Sequence, residues 1–204
     1  MKRLVAQHPG EGLRARGDGF YTLLRAVVGQ QISVKAADSV WAKVEKLVEP
    51  VTPQSLLKQS DAALRACGLS GQKVAYARNV AEFFVARGIA TRRASLKGEV
   101  EEGAYWGQLT DEEIIAQLTA IKGIGSWTAE MFLIFHLLRP NVLPLKDLGL
   151  LKAMNLHYVT AARLGDKKWL KPSEYEAIAE KWSPYRSVAT WYLWRSLDPV
   201  AVAY

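Results

Sequence analysis

Residues 118–130, Leu118-Thr119-Ala120-Ile121-Lys122-Gly123-Ile124-Gly125-Ser126-Trp127-Thr128-Ala129-Glu130, constrain the fold more than any other stretch of the chain. An apolar helix ending in Leu-x-x-Ile runs into two glycines that flank Ile124, and a second helix follows at once. Glycine has no Cβ, so the backbone at Gly123 and Gly125 is able to turn tightly and to come close to a ligand. Ser126 is placed to cap a helix that starts at Trp127. The N–H groups of such a helix start point outward and carry the positive end of the dipole, which makes a phosphate site without sequence preference. Lys122 adds charge, and Ile124 is placed to pin the hairpin to the core. Taken alone, the Gly-x-Gly also suits an ordinary αα-hairpin.

Further along, Pro144-Leu145-Lys146-Asp147 carries a single acid, followed by Leu148-Gly149-Leu150-Leu151. Asp147 therefore sits at or near the start of a short helix, where the dipole favours the ionised carboxylate. A fixed negative charge is what a developing sugar oxocarbenium needs beside it. By itself, an Asp in this setting is first of all an N-cap.

The remaining pattern is helical nearly throughout. Val34, Ala37, Val40, Trp41, Val44, Leu47 and Val48 recur at three and four residues, which predicts an amphipathic helix after Ser33. Thr52-Pro53 is a cap-then-proline start. Ser70 opens a helix through Val74, Ala77, Ala81, Phe84 and Val85 that Gly88 stops. Thr110 and Glu113 form a capping box, and Ser183-Pro184 is expected to open the last helix. No run alternates as a strand does; Asn141-Val142-Leu143-Pro144 is short and ends in proline. Thr91 to Gly107, rich in charge and glycine, reads as a linker.

The 204 residues suffice for one compact domain or two small lobes. The apolar run around Met131 to Leu138 falls far short of the ~20 residues that cross a bilayer. The N-terminus has no apolar core for a secretory signal, so a cytosolic protein is expected. The single cysteine, Cys67, excludes an internal disulfide and a four-cysteine metal site. A formal charge of +7 raises the prior for a polyanionic partner. His8, His136 and His157 do not cluster in the sequence.

Four ordered blocks carry a resemblance. They are Gly19 to Ala37 with Val28-Gly29-Gln30-Gln31-Ile32-Ser33; Cys67-Gly68-Leu69-Ser70-Gly71-Gln72-Lys73; the hairpin with Asp147; and Trp182-Ser183-Pro184-Tyr185-Arg186-Ser187-Val188-Ala189 with Trp191-Tyr192-Leu193-Trp194. Together they resemble the helix-hairpin-helix glycosylase superfamily, and within it the 3-methyladenine DNA glycosylase II (AlkA-type) branch. The resemblance implies an all-α fold of two helical lobes flanking a cleft, with the hairpin motif and a Gly/Pro loop carrying a catalytic aspartate. One lobe is expected over about 20–140, with its linker near 91–107. The other is expected from the N-terminal segment and about 141–204. Larger members carry an N-terminal β-rich domain, and these residues contain none.

By the same resemblance Asp147 is the catalytic carboxylate. Trp127 and Trp194 line the base pocket, with Tyr185 a further aromatic candidate. Met131, one turn from Trp127, is expected on the same helix face. Gln30, Gln31, Ile32 and Ser33 match the loop that plugs the gap left by an extruded nucleotide. Lys122, Gly123, Ile124, Gly125, Ser126 and Thr128 form the DNA grip, with Lys146 directed to a phosphate or to water. The carbonyls of Thr119, Ile121 and Ile124 match a site for a monovalent cation, sodium or potassium; no cofactor is required. Lyase-competent relatives place a lysine where this chain has Trp127, and an indole cannot form a Schiff base. The implied activity is monofunctional excision of alkylated purines of the 3-methyladenine type from double-stranded DNA by a monomer. It would act in the cytoplasm, at the nucleoid in a prokaryote. A non-catalytic hairpin module and a glycosylase with lyase activity through Lys146 or Lys122 remain the alternatives.

Overall fold

The computed structural model describes residues 1–15, 18–91, 100–160, 164–165 and 168–197. It is all-α, as the pattern predicts: α1 Lys2–Gln7, α2 Gly19–Gly29, α3 Val34–Leu47, α4 Pro53–Leu57, α5 Asp61–Ala66, α6 Gly71–Ala86, α7 Glu102–Gly107, α8 Asp111–Thr119, α9 Ser126–Phe135, α10 Leu148–Tyr158, α11 Pro172–Ala179 and α12 Arg186–Arg195. Strand-like pairing among the described residues includes one parallel bridge, Ile89 with Val100. No described helix is long and apolar enough to cross a membrane.

The predicted caps form. The hydroxyls of Ser33, Thr52, Ser70 and Thr110 each accept the N–H three residues on. Thr110 and Glu113 close the reciprocal box. Three boundaries differ from expectation. Ala129 N donates to Gly125 O (3.0 Å), so the second hairpin helix already includes Ser126, and Gly125 stands at its cap. The last helix starts at Arg186, not at Ser183-Pro184. Tyr185 N first closes a turn on Trp182 O (2.6 Å), and the first helical bond, from Ala189 N, is accepted by Tyr185. The expected linker over 91–107 contains helix α7 in its final part, while residues 92–99 lie outside the described residues.

The chain divides into two compact units, one from residues 16–132 and one from residues 1–15 with 133 onward. In the first, Phe20, Leu24 and Val27 of α2 and Val74, Ala77, Val80 and Phe84 of α6 are fully or almost fully buried. Each such large apolar side chain contributes about 1.5–3 kcal/mol relative to exposure. Trp106 packs edge-on against Phe132, with ring centroids 5.2 Å apart. Glu102 fastens α7 to the start of α2: its Oε1 accepts Gly19 N (2.8 Å) and Trp106 Nε1 (3.2 Å).

The second unit has its own core. Leu150, Ala153 and Met154 of α10 pack with Tyr175 and Ala179 of α11, Leu193 of α12 and Leu4 of α1. Tyr175 is buried without wasting its hydroxyl, which donates to Asn155 Oδ1 (2.8 Å) and accepts from Leu170 N (3.3 Å).

Candidate active site and nucleic-acid interface

Asp147 lies in the second unit at the N-cap of α10. It is 7 % exposed, an unusual degree of burial for a carboxyl group. Its Oδ1 accepts Leu150 N at 2.6 Å, the capping bond the sequence predicts. The same oxygen accepts the indole Nε1–H of Trp194 at 2.8 Å. Two donors on one oxygen fix the rotamer of the side chain. The loop itself is tight: Asp147 N donates to Pro144 O (2.9 Å) and Leu145 N to Leu143 O (3.0 Å).

Helix α12 holds this loop at both ends. Ser187, fully buried, donates its hydroxyl to Arg139 O (2.6 Å) and accepts Val142 N (2.9 Å). Its own N–H donates to Pro140 O (2.9 Å). Two helical turns later on the same helix, Trp194 reaches Asp147. The Trp194 ring, 6 % exposed, stacks on Phe135 with centroids 5.6 Å apart and planes 15° from parallel.

Two of these contributors, Gly149 and Ser187, have no role that the sequence alone assigns. Gly149 leaves room for the pair, because a Cβ there would stand 3.0 Å from Asp147 Oδ1 and 3.3 Å from Trp194 Cδ1, and both would have to give by a few tenths of an ångström. A glycine inside the first turn of a helix was its signal. Ser187 had none, since a serine in an apolar helix has no distinguishing pattern. Tyr185, at the cap of α12, is 62 % exposed, and Lys146 is exposed.

The hairpin and the loop after α2 belong to the first unit. Ile121 and Ile124 are buried (6 % and 5 % exposed), so Ile124 anchors the turn as expected. Ile124 N donates to Ile121 O at 3.0 Å, and Lys122 is exposed at the tip. The two glycines have different reasons. Gly123 has φ +108°, and a Cβ there would meet the Tyr76 ring at 2.2 Å. Around Gly125 a Cβ would meet no protein atom within 4 Å, which leaves that face of the turn open for a close approach.

Trp127 is half-buried and Met131 is 5 % exposed, both on α9. Thr128, in the first turn of α9, has its side chain buried at 6 % exposure. After α2, Gln31 adopts φ +59°, uncommon for a residue other than glycine, and Ile32 is 40 % exposed. Ser33 caps α3. The side chain of Gln30 is engaged inward, its Nε2 donating to Gly123 O at 2.9 Å. Among the described residues no three His, Cys, Asp or Glu side chains gather as a metal site.

Residues 24–184 match the model of the HhH-GPD superfamily of base excision DNA repair proteins. The chain belongs to that superfamily. It is 33 % identical over 201 residues to DNA-3-methyladenine glycosylase 1 of Schizosaccharomyces pombe, covering 96 % of this chain and 80 % of the relative. The solved 3-methyladenine DNA glycosylase of S. pombe in complex with abasic DNA superposes with TM-score 0.75 at 28 % identity, covering 100 % of this chain and 93 % of that one. A DNA-3-methyladenine glycosidase from Bacillus halodurans gives TM-score 0.74 at 32 % identity, over 96 % and 87 % of the two chains. This HhH-GPD chain therefore has both the fold and the sequence of alkyl-base glycosylases along nearly its whole length.

Proposed function

We propose that this protein is a monofunctional DNA glycosylase of base excision repair. It releases alkylated purines of the 3-methyladenine type by hydrolysing the N-glycosidic bond of a nucleotide swung out of the duplex. The observation that carries this reading is the buried Asp147 carboxylate held by the Trp194 indole and the Leu150 N–H. A DNA grip alone has no use for a carboxylate fixed in this way.

Alkylation at a ring nitrogen leaves the base positively charged, so it departs without an acid catalyst. The electrons of the C1′–N bond pass to the base and neutralise it. The charge left on the sugar is met by Asp147, a preorganised anion. Water then bonds to C1′ and gives up a proton, leaving an abasic site. Removing the base from the stack costs a few kcal/mol and is cheapest at damaged pairs. Trp127, Trp194, Tyr185 and Met131 are the side chains we assign to the base pocket; indole faces attract a cationic base. Trp127 also excludes Schiff-base chemistry at its position.

Backbone N–H groups at the start of α9, with Gly123, Ile124, Gly125, Ser126 and Lys122, grip a phosphate of double-stranded DNA. Lys146, exposed beside the catalytic loop, adds a further positive charge toward the backbone. The carbonyls of Thr119, Ile121 and Ile124 are the groups that would hold sodium or potassium. They fit a hard monovalent ion as neutral oxygens, and a carbonyl that already accepts one N–H, as Ile121 O does, keeps a second lone pair. The protein acts as a monomer wherever the genomic DNA lies.

Release of free base from duplexes carrying 3-methyladenine or 7-methylguanine tests the reading. Wild type is expected to release base and Asp147→Asn to release none. Full activity in Asp147→Asn would remove this carboxylate from the mechanism.

A further inference from the structure

Three side chains on one face of α6 reach the two segments that handle DNA in the proposed function. Lys73, Tyr76 and Asn79 recur every third residue, so each adjoins the next and the three spread over about 120° of one side of the helix. Lys73 Nζ donates to Val28 O (2.7 Å) in the last turn of α2, just before the Gln30–Ser33 loop. Asn79 Nδ2 donates to Lys122 O (2.9 Å) in the hairpin. The Tyr76 ring lies against Gly123, close enough to exclude any Cβ there. Its hydroxyl is held by Gln72. The loop and the hairpin are tied to each other by Gln30 Nε2 on Gly123 O, between residues 93 apart in the sequence.

Ile121 and Ile124 seat the hairpin in its own core, while the bonds from the hairpin to α6 and to the loop after α2 are polar. A cleft of about 550 Å³ opens between them, lined by Gln31, Ile32, Lys73, Tyr76 and Gly123. Both sides of the cleft are therefore spaced by a few polar ties that converge on α6. The exposed tip, Gln31 and Ile32, has to enter a duplex whose backbone the hairpin holds. The two must stand at a fixed offset, since successive nucleotides rise about 3.4 Å.

We propose that Asn79 and Tyr76 are positioning residues that set the offset between the strand-gripping hairpin and the gap-filling loop, and so couple backbone binding to base extrusion. This rests on the glycosylase reading. Misplacement by about 1 Å in such a constellation costs on the order of 10²-fold in rate. Removing the Asn79 tie lets the hairpin keep its phosphate while the loop tip misses the gap.

The test uses the full chain with Asn79→Ala, Asn79→Gln, Gln30→Leu and the double variant Asn79→Ala/Gln30→Leu. Three quantities are read: affinity for undamaged duplex at fixed salt, single-turnover release of 7-methylguanine, and fluorescence of 2-aminopurine next to the lesion as a report of extrusion. Asn79→Ala is expected to lower extrusion and release together by about tenfold or more, with duplex affinity within about twofold, the backbone grip being intact. Asn79→Gln, which keeps the amide donor, recovers part of the loss. The double variant falls no further than the worse single one, as a shared tie requires. Unchanged extrusion in Asn79→Ala overturns the proposal, and so does a loss of duplex affinity as large as the loss of release. If wild type releases no alkylated base, the glycosylase reading fails; if wild type and Asn79→Ala release it equally, only the positioning role fails.

Discussion

The indole N–H of Trp194 donates to Oδ1 of Asp147 at 2.8 Å, on the same oxygen that caps α10 through Leu150 N. A tryptophan that the family resemblance implies as a wall of the base pocket is thus also the direct support of the carboxylate. Phe135 stacks on the other functional surface of that tryptophan, its ring. Replacing Trp194 by Phe keeps an aromatic ring against Phe135, removes the donor and leaves a smaller ring in the space of the indole. A hydrogen bond to a charged group is worth about 1.5–3 kcal/mol. Single-turnover release should therefore fall by about one to two powers of ten, with little change in affinity for undamaged duplex. An unchanged rate would show that Leu150 N alone holds the carboxylate.

Ser187→Ala should act on the same loop from its other end. The substitution removes the hydroxyl that joins Arg139 O to Val142 N in a fully buried place. Leaving those groups without partners costs about 1–3 kcal/mol. The thermal midpoint should fall by about 2–4 °C for each kcal/mol, with a parallel drop in release rate. Ser187→Thr is no rescue, since there is no space for a methyl group at zero exposure.

The hairpin glycines should separate cleanly. Gly123→Ala forces a side chain into φ +108° and onto the Tyr76 ring, and should destabilise the protein by about 1–3 kcal/mol. Gly125→Ala meets open space, so stability should stay within about 0.5 kcal/mol. Its effect should appear instead in DNA affinity, because a methyl group stands where the backbone approaches a phosphate. Denaturation and duplex-binding titrations on the two variants decide it. Unchanged duplex affinity in Gly125→Ala would mean that the open face of Gly125 has no ligand role.

Stability should fall on the acid side through His157. Burial, then the charges of Arg3 and the N-terminal ammonium, lower its pKa from the ordinary 6.5. Ser196 Oγ donates to Leu193 O, so it accepts from His157 Nε2–H, which places the proton of the neutral ring on Nε2. With the folded value below the unfolded one, the unfolded chain takes up the proton first. The contribution is complete above 6.5 and is lost as pH falls below it through the folded value. Thermal midpoints at about pH 7.5 and about pH 5.5 should differ less in His157→Gln than in wild type. An identical pH slope in both would assign the acid loss to carboxylates.

Helix starts, the all-α class and the acid at the head of a helix were legible because each rests on a few neighbouring residues: a hydroxyl and the N–H three positions on, or an apolar side chain every third or fourth place. The exceptions were also local competitions. Gly125 O captured the first bond of α9, and the Trp182–Tyr185 turn delayed α12. The burial of the Thr128 side chain was not legible, because a polar residue in a helix carries no sign of which face is buried.

The chain's own order of residues decided its helices, the acid at the head of α10 and the family it joins. Which indole would hold that acid, which serine would pin its loop, and which face of α6 would brace the hairpin were settled only on packing. Those bonds link residues 47, 45 and 43 positions apart. A repeating apolar stripe tells a helix which side to bury, but it is compatible with many rotations and partners. Only the packed cores select one of them, and with it the few polar contacts that reach 2.6–2.9 Å.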